Sequence, residues 1–159
     1  MEHNDSTQIE NETLANLKDR RKVDDLLGCL LFLSKYHKRE TSAESLTYGL
    51  PIHKTSMNVS MFHEAASKIG LVSKTVKRNS IKDITKLALP SVLVLHKNRA
   101  CVLLDYDLET QMASVILPGL SSGETQMPIE KLESEYIGDA IIIKPEYNFN
   151  NRIEKEVVV

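Results

Sequence analysis

Two cysteines and five histidines are the side chains of this sequence that could serve as nucleophile, base or metal ligand near neutral pH. Cys29 and Cys101 each lie inside an apolar run, with no CxxC partner and no His at zinc-like spacing. Thiols in that setting read as small buried core residues. His3, His37, His53, His63 and His96 are scattered, and no two have the spacing that sets a pair of imidazoles on one helix face. No metal site and no cofactor is expected. A thiol and an imidazole form a catalytic pair only within hydrogen-bond reach. His37 follows Cys29 by eight residues, two helical turns, which separates them by about 12 Å along the axis. That distance is too great for a dyad.

Charge is the second source of chemistry. The net charge is -2, but its distribution is uneven. Between residues 71 and 100 stand Lys74, Lys77, Arg78, Lys82, Lys86, Lys97 and Arg99 against Asp83, a local charge of +6. Lysines along a strand edge commonly keep that edge solvated and block aggregation. The same charges also suit recognition of an acidic partner, with Lys74, Lys77, Arg78, Lys82 and Lys86 as the binding candidates. Nucleic acid is a poor fit, because no aromatic residue interleaves with the basic ones and the pI is about 6.2.

The elements that must position these residues change character along the chain. Residues 1 to 21 are polar and without periodicity, as in a loose leader. Val23, Leu26, Leu27, Leu30, Leu33 and His37 recur at helical spacing and predict a central, largely buried helix over Val23 to His37. Thr41 and Glu44 fit a capping box before a short helix stopped by Gly49 and Pro51. Val59, Phe62, Ala66 and Ile69 mark a second amphipathic helix that Gly70 ends.

Beyond Gly70 the period becomes two. Strands are predicted at Leu71 to Lys77, Ser91 to His96, Ala100 to Tyr106, Met112 to Leu117 and Asp139 to Lys144. Lys97-Asn98-Arg99 and Asp107-Leu108-Glu109-Thr110 are too short for parallel crossovers, so the sheet should be antiparallel. Ser80 and Asp83 suit a brief helix, and Pro128 opens another through Glu135. Helices followed by an antiparallel sheet define an α+β domain. With 159 residues, one domain is expected. The apolar stretches at Leu30 to Leu33 and Ala140 to Ile143 are far shorter than the roughly 18 residues a membrane span needs. The opening Met-Glu-His-Asn-Asp lacks the basic and apolar regions of a secretory signal, so a cytoplasmic location is expected.

Three stretches carry a family resemblance. They are Asp24-Asp25-Leu26-Leu27-Gly28-Cys29-Leu30-Leu31-Phe32-Leu33, then Leu89-Pro90-Ser91-Val92-Leu93-Val94 running on to Asn98-Arg99-Ala100-Cys101-Val102-Leu103-Leu104, then Tyr136-Ile137-Gly138-Asp139-Ala140-Ile141-Ile142. Over residues 23 to 146 the chain resembles the bacteriocin-processing, double-glycine leader peptidases. These are family thirty-nine of the cysteine peptidases, found at the start of many ABC exporters. It is most similar to a degenerate subgroup, the peptidase-like domains of type I secretion ATPases that export large repeat-containing adhesins and toxins. The resemblance implies a papain-like fold, with an N-terminal helical half packed on an antiparallel sheet.

It also implies a site without its usual residues. Cys29-Leu30 matches the second, structural Cys of the family's Asp-Cys-Gly-x-x-Cys-Leu, which puts Asp25 at the nucleophile position. Ala100 stands where a general-base His opens a strand, Leu117 where an Asp precedes Pro118, and Asp19 where the oxyanion-hole Gln is expected. The same alignment sets His96 at the far end of a strand from the lost His. Hydrolysis needs a thiolate, a base, an orienting group and oxyanion donors, so no catalytic residues and no peptidase activity are expected.

The expected role is that of a binding or docking domain for an unfolded exported protein of the calcium-binding repeat (RTX) type. It would work at the cytoplasmic face of the bacterial inner membrane, beside the transmembrane and ATPase domains of its transporter. Neither nucleic-acid binding nor membrane insertion is expected of it. Residues 22 to 146 would form the domain and 147 to 159 a linker toward a transmembrane region. The alternatives are an active cysteine peptidase that cleaves a leader peptide, and a structural domain that only docks on the ATPase.

Overall fold

The computed structural model describes residues 25–50, 57–118 and 123–146 of the chain. The expected leader (residues 1–21) and linker (147–159) fall outside these residues, as do Asp19, Val23, Pro51 and His53.

Helix α1 spans Asp25–Tyr36 and buries Leu26, Leu27, Cys29, Leu30 and Leu33. Asp25 in its first turn and Lys35 in its last complement the helix dipole. At its end Arg39 N–H donates to Ser34 C=O and Lys38 N–H to Lys35 C=O, with Lys38 at φ 60°. That pair of bonds around a left-handed residue is a Schellman ending, made here without glycine.

Helix α2, Ala43–Thr47, is capped by Ser42, whose hydroxyl accepts from Ser45 N–H at 3.1 Å. The expected box at Thr41 and Glu44 is therefore displaced by one residue: the N-cap is Ser42, and Ser45 occupies the third helical position. Helix α3, Val59–Lys68, starts at Asn58, whose side-chain oxygen accepts from Met61 N–H at 2.8 Å. Gly70, with φ of 77°, turns the chain out of this helix into the sheet.

The strands are β1 (Leu71–Lys77), β2 (Ser91–Leu95), β3 (Arg99–Asp107), β4 (Met112–Ile116), β5 (Glu124–Pro128) and β6 (Tyr136–Pro145). They form one sheet in the order β1-β6-β2-β3-β4-β5, and each neighbouring pair is antiparallel. Helix α4, Ile129–Glu135, runs directly from β5 into β6. The α+β architecture read from the sequence is the observed one.

The differences are local. The edge strand β5 is polar, Glu-Thr-Gln-Met-Pro, and its sequence lacks the apolar-polar alternation that marks half-buried strands, although its residues alternate between exposed and half-buried. β6 begins at Tyr136, three residues before Asp139. A second 3₁₀ turn, Lys86–Ala88, follows the expected one at Ile81–Asp83.

Period-two alternation divides the core between the two faces of the sheet. On one face Val92, Ala100, Val102, Ile116, Ile141 and Ile143 pack with Leu30, Leu33, Leu46 and Phe62 of α1, α2 and α3. On the other, Leu93, Cys101, Leu103, Val115 and Ala140 pack with Ile81, Ile84, Ile129 and Leu132. Tyr106 closes the second face by donating its hydroxyl to Ile84 C=O at 2.7 Å. Glu133 of α4 accepts from the Ser80 hydroxyl and from Ile81 N–H, tying the first 3₁₀ turn to the helix.

Candidate functional site

The site expected from the sequence lies at one end of the sheet. There β2 turns into β3 through Lys97 and Asn98, both left-handed, with φ of 62° and 57°. β3 enters beneath the first turn of α1. The ladder with β4 ends at Val102, opposite Ile116, so β4 no longer runs alongside Ala100. The Ala100 N–H donates instead to Asp25 Oδ2 at 3.2 Å. The two positions that the sequence led one to expect at the nucleophile and base are thus in direct contact, joined by a carboxylate accepting from a backbone amide.

Leu117 is not brought to this pair. Its side chain is half-buried against the second cluster, on the sheet face away from α1. The next residue, Pro118, is the one that meets the helix. A Cβ placed on Gly28 would lie 2.6 Å from Cβ of Pro118, so α1 approaches the exit of β4 this closely only because residue 28 has no side chain.

Both thiols are fully buried. Burial raises the Cys29 pKa well above its ordinary value, and the charges of Cys101 and Asp25 raise it further. Cys101 is pushed up to about 12 by burial, then by Glu135 and Asp25. A reactive cysteine needs the opposite, a cationic neighbour or other stabilisation of the thiolate. The Asp25 carboxylate opposes ionisation of both.

The described histidines are placed apart. His37, at the far end of α1, has a buried Nε2 without a hydrogen bond among the described residues; burial and then Lys144 lower its pKa. His96 is exposed, next to the tight turn that leads into Ala100. This corrects its expected place: the connection from Leu95 to Arg99, three residues long with His96 the first of them, keeps it at the same end of the sheet as Ala100, not the far end. Its side chain makes no hydrogen bond among the described residues.

His63 was not singled out by the sequence. It reaches from α3 to β1, where Nδ1 meets Ser73 Oγ at 2.5 Å and Nε2 meets Thr75 Oγ1 at 2.9 Å. Burial lowers its pKa, which favours a neutral ring held between two hydroxyls. The available signal was Ser73 and Thr75, two residues apart and hence on one strand face.

The basic run does not fold into one patch. Lys77 ends β1 and Arg78 follows it at the Asp25 end of the sheet, the end that also carries Lys97 and Arg99, whereas Lys86 precedes β2 at the opposite end. Lys77 is 2.5 Å from Asp139, Arg99 is 3.3 Å from Glu135, and Lys86 is 3.3 Å from Asp105. Lys86 also lies over the Tyr106 ring, 5.1 Å from its centroid. Arg78 donates from Nη1 to Lys77 C=O at 2.7 Å. Lys74 and Lys82 have no ion pair among the described residues. Among those residues no cluster of three or more His, Cys, Asp or Glu could hold a metal ion. No helix among them is long and apolar enough to cross a membrane.

A six-stranded antiparallel sheet covered by leading helices, with a helix N-terminus set against the start of β3, is the arrangement of a cysteine-peptidase-like α+β domain. Residues 16–148 match the Peptidase C39 family, and the chain belongs to that family. It is similar to the N-terminal peptidase C39 like domain of the toxin secretion ATP-binding protein from Vibrio parahaemolyticus. The two are 31% identical with a TM-score of 0.73, over 77% of this chain and 98% of that one. The peptidase domain of Streptococcus ComA, a bi-functional ABC transporter involved in a quorum sensing pathway, shares the fold at 20% identity. Its TM-score is 0.66, over 80% of this chain and 94% of that one. A double glycine motif protease from an AMS/PCAT transporter, solved with a leader peptide, also shares the fold at 20% identity. Its TM-score is likewise 0.66, over 77% and 85% of the two chains. No curated protein matches the chain. The domain is therefore a peptidase C39-like domain, matching the N-terminal peptidase domains of ABC transporters.

Proposed function

We propose that this is a non-catalytic cargo-binding domain of a type I secretion ABC exporter, which holds an unfolded exported protein of the RTX type beside the transporter's membrane and ATPase portions. The Asp25 carboxylate, held by the Ala100 amide at the head of α1, carries the reading. An acceptor fills the place of a nucleophile, a methyl group that of a base, and the nearby thiols are kept protonated. The likeness to a domain named for a toxin secretion ATP-binding protein supports the transporter setting. A fold kept without the residues of its chemistry suits binding.

Calcium-binding repeats are rich in Asp, and without calcium such a chain is unfolded and strongly negative. Lys74, Arg78 and Lys82 supply cations to steer it, with Lys77 and Lys86 partly neutralised by Asp139 and Asp105. The test is a titration of a labelled repeat region into the domain at low and high salt, with and without calcium. Binding should be confined to the calcium-free chain and should weaken with salt. Equal affinity in all conditions contradicts the electrostatic mechanism, and no binding at all favours a domain that only docks on the ATPase. The alternative of a leader-cleaving peptidase requires thiol-dependent cleavage of a leader peptide, visible by mass spectrometry and abolished by Cys29→Ala.

A further inference from the structure

β1 is an edge strand, paired on one side with β6. Its register with β6 runs without a break from Leu71 opposite Pro145 to Lys77 opposite Asp139. Two bonds that bracket the ladder fix which backbone groups point inward. Arg78 N–H donates to Gly138 C=O, and Glu146 N–H donates to Gly70 C=O. In an antiparallel pair the hydrogen-bonded residues alternate, so residues 72, 74 and 76 direct their N–H and C=O groups toward β6. Leu71, Ser73, Thr75 and Lys77 then direct theirs outward. The Lys77 carbonyl is taken by the Arg78 guanidinium. The outward backbone groups of Ser73 and Thr75 have no partner among the described residues.

The side chains beside this free edge are also ordered. His63 ties the Ser73 and Thr75 hydroxyls down on the α3 face. On the other face stand Val72, exposed at 55%, Lys74 and Val76. Lys74 lacks an ion pair among the described residues, so an apolar, cationic, apolar strip runs along an unpaired edge. We propose that the outer edge of β1 takes an extended acidic segment of the exported chain as a seventh strand. Its backbone bonds to Ser73 and Thr75, its carboxylate meets Lys74, and apolar residues two positions to either side lie on Val72 and Val76.

The partner is thus read as apolar-x-acid-x-apolar, the pattern that cross-strand pairing and period-two alternation require. A second copy of this chain is a poorer occupant. Two-fold antiparallel pairing through β1 would bring the two Lys74 ammonium groups opposite or diagonal to each other. β5, the other edge, carries Glu124 and no cation, so it repels an acidic strand.

This inference rests on the proposed cargo-binding function, and the experiment separates the two. The probe is a fluorescent peptide of alternating Thr and Val with a central Asp, matched to the seven residues of β1. Companions have Lys in place of Asp, or are N-methylated on one or the other set of alternate amides. Anisotropy should show binding of the Asp peptide and about tenfold weaker binding of the Lys peptide, the scale of a lost charge-assisted contact. Lys74→Glu should invert that preference.

Only one N-methyl isomer should lose binding, because only one set of amides faces β1. Amide exchange at Ser73 and Thr75, followed by NMR, should slow at least about tenfold on saturation with peptide. Thr75→Pro removes an outward N–H and leaves the β6 ladder intact, so a variant with unchanged circular dichroism should bind none. Binding without slowed exchange at Ser73 and Thr75, or equal loss from both N-methyl isomers, overturns the edge assignment. So does protection of these amides in a peptide-free dimer. If the calcium-free repeat region binds and the peptide does not, the edge inference fails and the cargo function stands. If neither binds, both fail.

Discussion

Gly28 offers a perturbation in which two known effects oppose each other and the geometry decides the sign. Replacing a glycine inside a helix by alanine ordinarily stabilises by about 0.8 to 1.0 kcal/mol. In α1, however, the new methyl would lie 2.6 Å from Cβ of Pro118. Carbon atoms pack best at about 3.5 to 4.0 Å, so roughly 1 Å must be recovered. The obstacle is a pyrrolidine ring fixed to the backbone, and relief requires α1 or the chain leaving β4 to move. Overpacking of this kind costs about 1 to 3 kcal/mol, and a rigid obstacle places Gly28→Ala in the upper half of that range. The net expectation is a loss of about 1 to 2 kcal/mol. In urea this lowers the unfolding midpoint by about 0.5 to 1 M at unchanged slope. With Pro118→Gly the obstacle is gone, and adding Gly28→Ala to that variant should be neutral or stabilising. An unchanged or raised midpoint for Gly28→Ala alone, or the same loss in both backgrounds, would refute the close approach of α1 to Pro118.

Leu30 is fully buried in the first cluster and Phe32 only half-buried at its margin. Leu30→Ala should therefore cost about 2 to 5 kcal/mol in urea unfolding, and Phe32→Ala clearly less. His63 and His37 both have folded-state pKa values below the ordinary 6.5. The unfolded chain binds their protons first, so stability is complete above pH 6.5 and falls as the pH drops toward the folded-state values. Unfolding midpoints measured across this range should show the decline, and His63→Gln should remove part of it. Cys29 and Cys101 should resist an aromatic disulfide reagent in the native domain and react together on unfolding. Rapid native labelling of either would contradict their burial.

The helical half was legible because its signal is local. Leucines at helical spacing placed α1, and Gly70 marked the switch to the sheet. Strands β1 to β4 and β6 were legible from alternation, with shifts of a few residues at their ends. β5 was not, since an edge strand with Glu124 and Gln126 exposed buries too little to show a pattern. Asp25 and Ala100 were each found by matching motifs, and their direct hydrogen bond is a tertiary fact.

The orientation of Leu117 was beyond reach for a physical reason. Adjacent strand residues point to opposite faces, so the match through Pro118 fixed the position of Leu117 in the chain but not its side of the sheet. The basic run shows the same limit: thirty residues of sequence give the sign of the charge, but antiparallel strands carry Lys77 and Lys86 to opposite ends. His63 with Ser73 and Thr75 depends on α3 packing over β1, which no spacing in the sequence announces.

The central claim, a C39-like domain that holds an unfolded exported chain without cutting it, is tested most directly by native mass spectrometry. The domain is mixed with a calcium-free repeat protein that keeps its own termini, and the products are weighed after prolonged incubation at neutral pH. The account predicts a complex whose mass is the sum of the intact domain and the intact, uncut cargo, lost on addition of calcium. Cargo shortened at a discrete site would contradict it, as would free domain and free cargo with no complex at any concentration tested.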